Sequence, residues 1–217
     1  MLRSYCGSDH NRIDPQKEKR MRANEAMIIV GRKHTGKSTL ANKLAEGFAR
    51  PKKRVLIINV NQSPAYSKHK LITYDKMKRW RSGGIYQFYD RDNDAMFDFL
   101  INWFDPVKRK FNGLIVFEDC TKYIGSNPNK QILSFLVDHR MWNADLLFTF
   151  HSLAMVPPFF WRMTTRLILL KTQDIMTKAN ERGFENRIPN WKEVKPAYDR
   201  VAANPDPYAH EVIDTKI

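Results

Sequence analysis

Gly31-Arg32-Lys33-His34-Thr35-Gly36-Lys37-Ser38, set directly behind the apolar run Ala26-Met27-Ile28-Ile29-Val30, decides how the rest of the chain is read. The order is strand, loop, helix. Gly31 and Gly36 are spaced so that the backbone can curl with successive N–H groups turned inward on phosphate oxygens, where a Cβ would obstruct the approach. Lys33, His34 and Thr35 supply the amides between them. Lys37 reaches toward the β and γ phosphates, and Ser38 offers a hydroxyl to Mg2+. A helix predicted over Thr39 to Ala49 follows, its positive end facing the anion and Thr39 completing the phosphate contacts. A plain glycine turn is the alternative, and the strand-loop-helix context speaks against it.

Outward from this loop, apolar runs alternate with helical patterns. Arg54 to Val60 is a β-branched run suited to a buried parallel strand, closed by Asn61-Gln62-Ser63-Pro64. Ile85 to Tyr89 reads as a short strand after the turn Ser82-Gly83-Gly84. Asn93 to Phe104 has the apolar spacing of a helix, with Asn93 or Asp92 as cap and Pro106 beyond it. Gly113 then releases Leu114-Ile115-Val116-Phe117, which ends in Glu118-Asp119. Asn129 to Trp142 reads as a helix with Ile132, Leu133, Phe135, Leu136 and Val137 inward. Leu146 to Phe150 is a strand ending at His151, Pro157-Pro158 interrupts the chain, and Arg166 to Lys171 is a last strand. The pattern predicts an α/β fold: a doubly wound, mainly parallel sheet with helices on both faces. Residues 1–25 have no apolar periodicity and are expected as an arm, 26–183 as the core domain and 184–217 as a C-terminal extension.

A chain of 217 residues, 42% hydrophobic and 12% aromatic, can bury one α/β core. No apolar run approaches the roughly 20 residues of a membrane span and no signal-peptide core is visible, so a soluble protein made in a cytoplasm is expected. Cys6 and Cys120 form no CxxC pair and are read as reduced thiols without a metal role. The net charge of +14 is concentrated: Arg50 to Arg81 holds ten Lys or Arg against one acid, Asp75, a net +9. Such clustering points to a polyanion, with Lys68, Lys70, Lys76, Lys78, Arg79 and Arg81 as candidate phosphate contacts, or else to a solvated face. Trp80 amid these cations is a candidate for base stacking or for packing.

A nucleoside triphosphate on the loop needs a second Mg2+ anchor and a group that orients the attacking water. Glu118 and Asp119 supply two carboxylates at one strand end, one for each task. Which takes which is open. His151, at the end of the next strand, should lie beside them, where a polar side chain can sense the γ-phosphate or hold the water; a histidine satisfied by backbone is the competing reading. Arg140, and Arg162 with Arg166, flank that strand from either side and are arginine-finger candidates, acting in trans if they lie at a subunit edge.

The phosphate loop at 31–38, the strand Leu114 to Asp119, Asp138-His139-Arg140 and the strand Leu146 to Phe150 closed by a polar residue together resemble the FtsK/HerA superfamily of DNA-translocating ATPases over residues 26–171. The resemblance implies a RecA-like P-loop core, ATP and Mg2+ as cofactors, and a homo-oligomeric ring that moves double-stranded DNA. It also implies Lys37 and Ser38 on phosphate and metal, Glu118 and Asp119 as the acidic pair, and His151 in the sensor place. Two departures stand out: Glu precedes Asp, and the sensor is His where Gln or Asn is usual. Size and the lack of a membrane anchor resemble the genome-packaging ATPases of tailless, membrane-containing viruses, which implies a chain in the host cytoplasm or on the virion with capsid vertex proteins as partners. Filamentous-phage (Zot-like) morphogenesis ATPases normally carry a transmembrane segment. Outside the family, a small-molecule or nucleotide kinase shares the loop and the size, and a DNA-binding switch that barely hydrolyses is a third class.

Overall fold

The computed structural model describes residues 24–103, 111–124 and 130–215. The expectations for the N-terminal arm, Cys6, Phe104, Pro106 and Asn129, and for the inward side chain of Phe135, lie outside the described residues.

Eight strands form one sheet in the order β3-β4-β2-β5-β6-β1-β7-β8. They are β1 (Ala26–Val30), β2 (Arg54–Ile58), β3 (Lys70–Leu71), β4 (Ile85–Phe88), β5 (Gly113–Phe117), β6 (Ala144–Phe150), β7 (Arg166–Leu170) and β8 (His210–Asp214). Every pairing is parallel except β7 with β8. The helices are α1 (Lys37–Phe48), α2 (Tyr74–Arg79), α3 (Asn93–Trp103), α4 (Lys130–Asp138), α5 (Pro158–Met163), α6 (Lys178–Arg187) and α7 (Trp191–Ala203). The fold is α/β, a mainly parallel sheet with helices on both faces, as the alternation of runs predicts.

Side chains alternate across the sheet, as the strand period requires. Ile28, Val30, Leu56, Ile58, Ile115 and Phe117 face the larger core with residues of α3 to α7. Met27, Ile29, Val55, Ile57, Leu114 and Val116 face a smaller one with Ala41 and Ala45 of α1 and Tyr66 from the turn Pro64–Tyr66. Burying residues of this size stabilises by roughly 1.5–3 kcal/mol each. A strand covered on both faces must therefore be apolar throughout, and that is why the central runs stand out in the sequence.

Several boundaries differ from expectation for local reasons. α1 begins at Lys37, two residues early, because Gly36 in the left-handed region (φ 82°) caps it. Asp92 caps α3, accepting from the amides of Asp94 and Ala95 at 3.0 Å. α4 ends at Asp138 rather than Trp142. There the buried His139 ring bonds to Ala144 O at 2.7 Å and Asn143 takes φ 55°, so the chain turns sharply into β6. Pro158 opens α5, since its missing N–H costs nothing in a first turn. The expected boundary at 183/184 is not a boundary in packing: Phe184, Ile188, Trp191, Val194 and Ala197 belong to the larger core, and β8 extends the sheet.

Candidate active site

The parallel order sends β1, β5 and β6 to the same sheet edge, with β6 between the other two. Their ends carry the phosphate loop, the Glu118-Asp119 pair and His151. In the loop, His34 and Gly36 both take left-handed conformations, φ 65° and 82°, which turns the intervening amides to one side. The Thr35 hydroxyl donates to Arg32 O at 2.8 Å and closes the curl. A Cβ on Gly31 would stand 2.8 Å from both Leu170 Cβ and Thr35 Oγ1, so only glycine fits there. Lys33, His34 and Thr39 are exposed around this loop, while Thr35 and Lys37 are buried.

Lys37 Nζ donates to Arg32 O at 3.3 Å and lies 3.2 Å from His151 Nδ1. An ammonium has only donors, so Nδ1 must accept and the proton of a neutral His151 ring sits on Nε2. Nε2 is 3.1 Å from Asp119 Oδ1. His151 thus bridges the loop lysine and the second acid of the pair. Burial lowers the Lys37 pKa, while the charges of Glu118 and Asp119 act the other way.

The two acids stand in different surroundings. Glu118, 4% exposed, accepts from Ser38 Oγ at 2.5 Å through Oε1 and from Tyr66 OH at 2.7 Å through Oε2. Asp119 takes φ 51°, which swings its carboxylate away from Ser38 toward His151, Thr121 and Asn61. Its burial raises the carboxyl pKa, but hydrogen bonds from His151, Thr121 and Asn61 outweigh it and hold the group well below the ordinary carboxylate range. Thr149 on β6 ties the pair together: its hydroxyl accepts from the Asp119 amide at 2.8 Å and lies 3.4 Å from Glu118 Oε2. Ser38 and Glu118 are a hard oxygen pair of the kind Mg2+ takes. Among the described residues no group of three or more His, Cys, Asp or Glu is gathered for a metal, so a cation held here would complete its shell with phosphate and water oxygens.

No protein-family profile matches this sequence, and no curated protein matches it. Solved structures do match by shape. The genome packaging NTPase B204 from Sulfolobus turreted icosahedral virus 2, in complex with AMP, superposes with a TM-score of 0.67 over 90% of this chain and 94% of B204, at 17% identity. This chain shares the fold of a viral genome-packaging NTPase. The same B204 in complex with ATP-gammaS gives 0.65 at 15% identity, again over 90% and 94%. ATPases 2 and 3 of EssC from Geobacillus thermodenitrificans give 0.52 at 11% identity over 88% of this chain and 37% of theirs. The fold that the FtsK/HerA resemblance implies is the fold observed.

The arginines do not join the site of their own chain. Arg140 lies before β6 begins, at the opposite sheet edge from His151, and the strand between them spans roughly 20 Å. Arg166 opens β7 at that far edge and pairs with Glu25 at 3.4 Å and Asp214 at 3.3 Å, while Arg162 is exposed at the end of α5. Arg140 and Arg166 therefore lie a strand's length from the phosphate loop of this chain.

The basic run divides. Lys68, Lys70, Lys76, Lys78, Arg79 and Arg81 are exposed along β3, α2 and the adjoining turns, at the sheet edge far from β7 and β8. Arg54 is buried instead: it donates to Phe111 O at 2.7 Å and Trp80 O at 3.0 Å, and its guanidinium lies 4.9 Å from the Phe111 ring centroid. Trp80 is 8% exposed, packs against Tyr86, Trp103 and Phe111, and donates to Gly83 O at 2.6 Å. The base-stacking reading of Trp80 is thereby overturned, because the ring is core.

Asn61, Tyr66, Thr121 and Thr149 escape the sequence reading. Asn61 comes to Asp119 because β2 pairs with β5, Ile58 opposite Phe117. Thr149 left a signal: it is a lone hydroxyl in the otherwise apolar Leu146 to Phe150, and such a residue at 0% exposure must have a polar partner.

Proposed function

We propose that this chain is an ATPase in which Lys37 and the loop amides hold the β and γ phosphates, Glu118 with Ser38 takes the metal, and Asp119 orients the attacking water. The observation that carries this division is the Ser38 Oγ to Glu118 Oε1 hydrogen bond, with Asp119 turned to His151 and Asn61. Bound Mg2+ would supply charge neutralisation at the β and γ phosphates. Asp119, held ionised, acts as an acceptor that polarises and aims a water. The buried Asn61 Oδ1, which has no partner among the described residues, is a second acceptor for it. His151 links this water site to Lys37, one ring nitrogen to the acid and the other to the phosphate-binding cation.

The further reading is an oligomeric motor that drives double-stranded DNA, most simply a viral genome into its capsid. It is supported by the likeness to B204, itself described as a genome packaging NTPase, and by the exposed cations of the β3 edge. β3 stands five strand positions from β1, roughly 24 Å, so a polyanion there would not compete with nucleotide. Among the described residues no helix is long and apolar enough to cross a membrane. The test is ATP hydrolysis with and without duplex DNA, alongside the mass of the assembly. DNA-stimulated turnover by a multimer is expected; transfer of phosphate to a small acceptor with no response to DNA would establish the kinase instead.

A further inference from the structure

β8 and the loop before it add a wall to the phosphate loop on the side away from the acids. A cavity of about 400 Å3 opens there, in the size range of small-ligand pockets, between Gly36, Thr39, Leu40 and Lys43 on one side and Tyr208 and His210 on the other. Tyr208 is 61% exposed. It is not loosely held. A Cβ on Gly36 would stand 3.1 Å from Tyr208 Cδ1, so the ring lies against the loop backbone.

The segment Asn204-Pro205-Asp206-Pro207-Tyr208 holds it there. Asp206 N donates to Asn204 Oδ1 and Tyr208 N to Asp206 Oδ1, both at 2.9 Å. Lys171, just beyond β7, donates to Asn204 O, and two prolines stiffen the turn. The ring is preorganised, lines the cavity and remains largely exposed.

The sheet order gives the cavity its occupant. Glu118, Asp119 and His151 sit at the ends of β5 and β6, on one side of β1, whereas His210 opens β8 and Tyr208 lies in the loop just before it, on the other. A nucleotide whose γ-phosphate meets the acids must run its α-phosphate and sugar past Thr39 toward β7 and β8. Two strand positions separate β8 from β1 and one separates β6, a total of roughly 14 Å. We propose that this cavity seats the nucleobase of the bound nucleoside triphosphate, with Tyr208 as the stacking surface.

The proposal rests on the phosphate-loop reading above, and the test separates the two. Binding of ATP and of inorganic tripolyphosphate, each with Mg2+, is measured by titration calorimetry on the full chain and on Tyr208→Ala and Tyr208→Phe. The wild-type chain should bind both. Tyr208→Ala should weaken ATP roughly tenfold, the scale of one base-aromatic stack, and leave tripolyphosphate unchanged, while Tyr208→Phe keeps the affinity for ATP. Unchanged ATP affinity in Tyr208→Ala, or equal loss for both ligands, would overturn the base seat and leave the phosphate loop standing. If the wild-type chain bound neither ligand, both readings would fall.

Discussion

At the carboxyl ends of β1, β5 and β6, Lys37 and Glu118 are buried and Asp119 and His151 largely so, and each is bonded to another polar group; along β3 and α2, six cations stand in solvent, with Lys68 paired to Glu46 of α1. The first region turns charge into geometry. Its groups have lost water, so each needs a partner at hydrogen-bond distance, and their mutual placement is stiff. The second keeps its hydration and works through a screened field about 8–10 Å deep, in which position matters little and number matters much. A stiff site suits a reaction centre, and a field suits a partner that slides.

If that contrast is right, mutations in the two regions should fail differently. Lys37→Ala should have the largest effect, a loss of hydrolysis on the order of 10^3-fold with the circular dichroism of the folded chain kept, because charge stabilisation of the transferring phosphoryl group goes and little packing does. Near-normal turnover in the folded variant would remove the phosphate-loop reading. Glu118→Gln and Asp119→Asn should each cost on the order of 10^2-fold, yet separate in a Mg2+ titration. Glu118→Gln should demand more metal, whereas Asp119→Asn should bind ATP at ordinary metal and stall. Superimposable metal titrations would dissolve the division of labour between them.

Arg54 sharpens the comparison, since by sequence it belongs to the basic run and by burial to the interior. Arg54→Ala should lower stability by roughly 2–4 kcal/mol, read from the urea midpoint, by leaving Phe111 O and Trp80 O without their donor and removing the guanidinium from the aromatic cluster. An unchanged midpoint would mean that burial has not made this cation structural. Neutralising Lys76, Lys78 and Arg79 together should have the smallest effect on the enzyme: basal hydrolysis is unchanged, DNA stimulation is lost, and the slope of log affinity against log salt flattens by about two to three units. If slope and stimulation survive, the β3 edge is a solvated face and the DNA path lies elsewhere.

Read along the chain alone, the phosphate loop, the acid-tipped strand and the next polar-tipped strand are visible because each is local: glycine spacing, a run buried on both faces, and its first polar residue. Their convergence at one sheet edge also follows, since parallel strands end together. What the chain order does not contain is which strands are neighbours and how each strand-end residue is turned. That β6 lies between β1 and β5 is decided by the sheet, and it makes His151 a bridge. The left-handed turn at Asp119, which separates two adjacent carboxylates into different surroundings, is a backbone conformation that residue type alone does not specify. Arg54, which by sequence both opens a strand run and belongs to the basic cluster, and Trp80, open between stacking and packing, are core because of residues up to fifty-seven positions away, Phe111 above all. Local pattern determined the elements and their chemistry; long-range packing decided which of those groups meet, because burial depends on contacts that sequence distance does not measure.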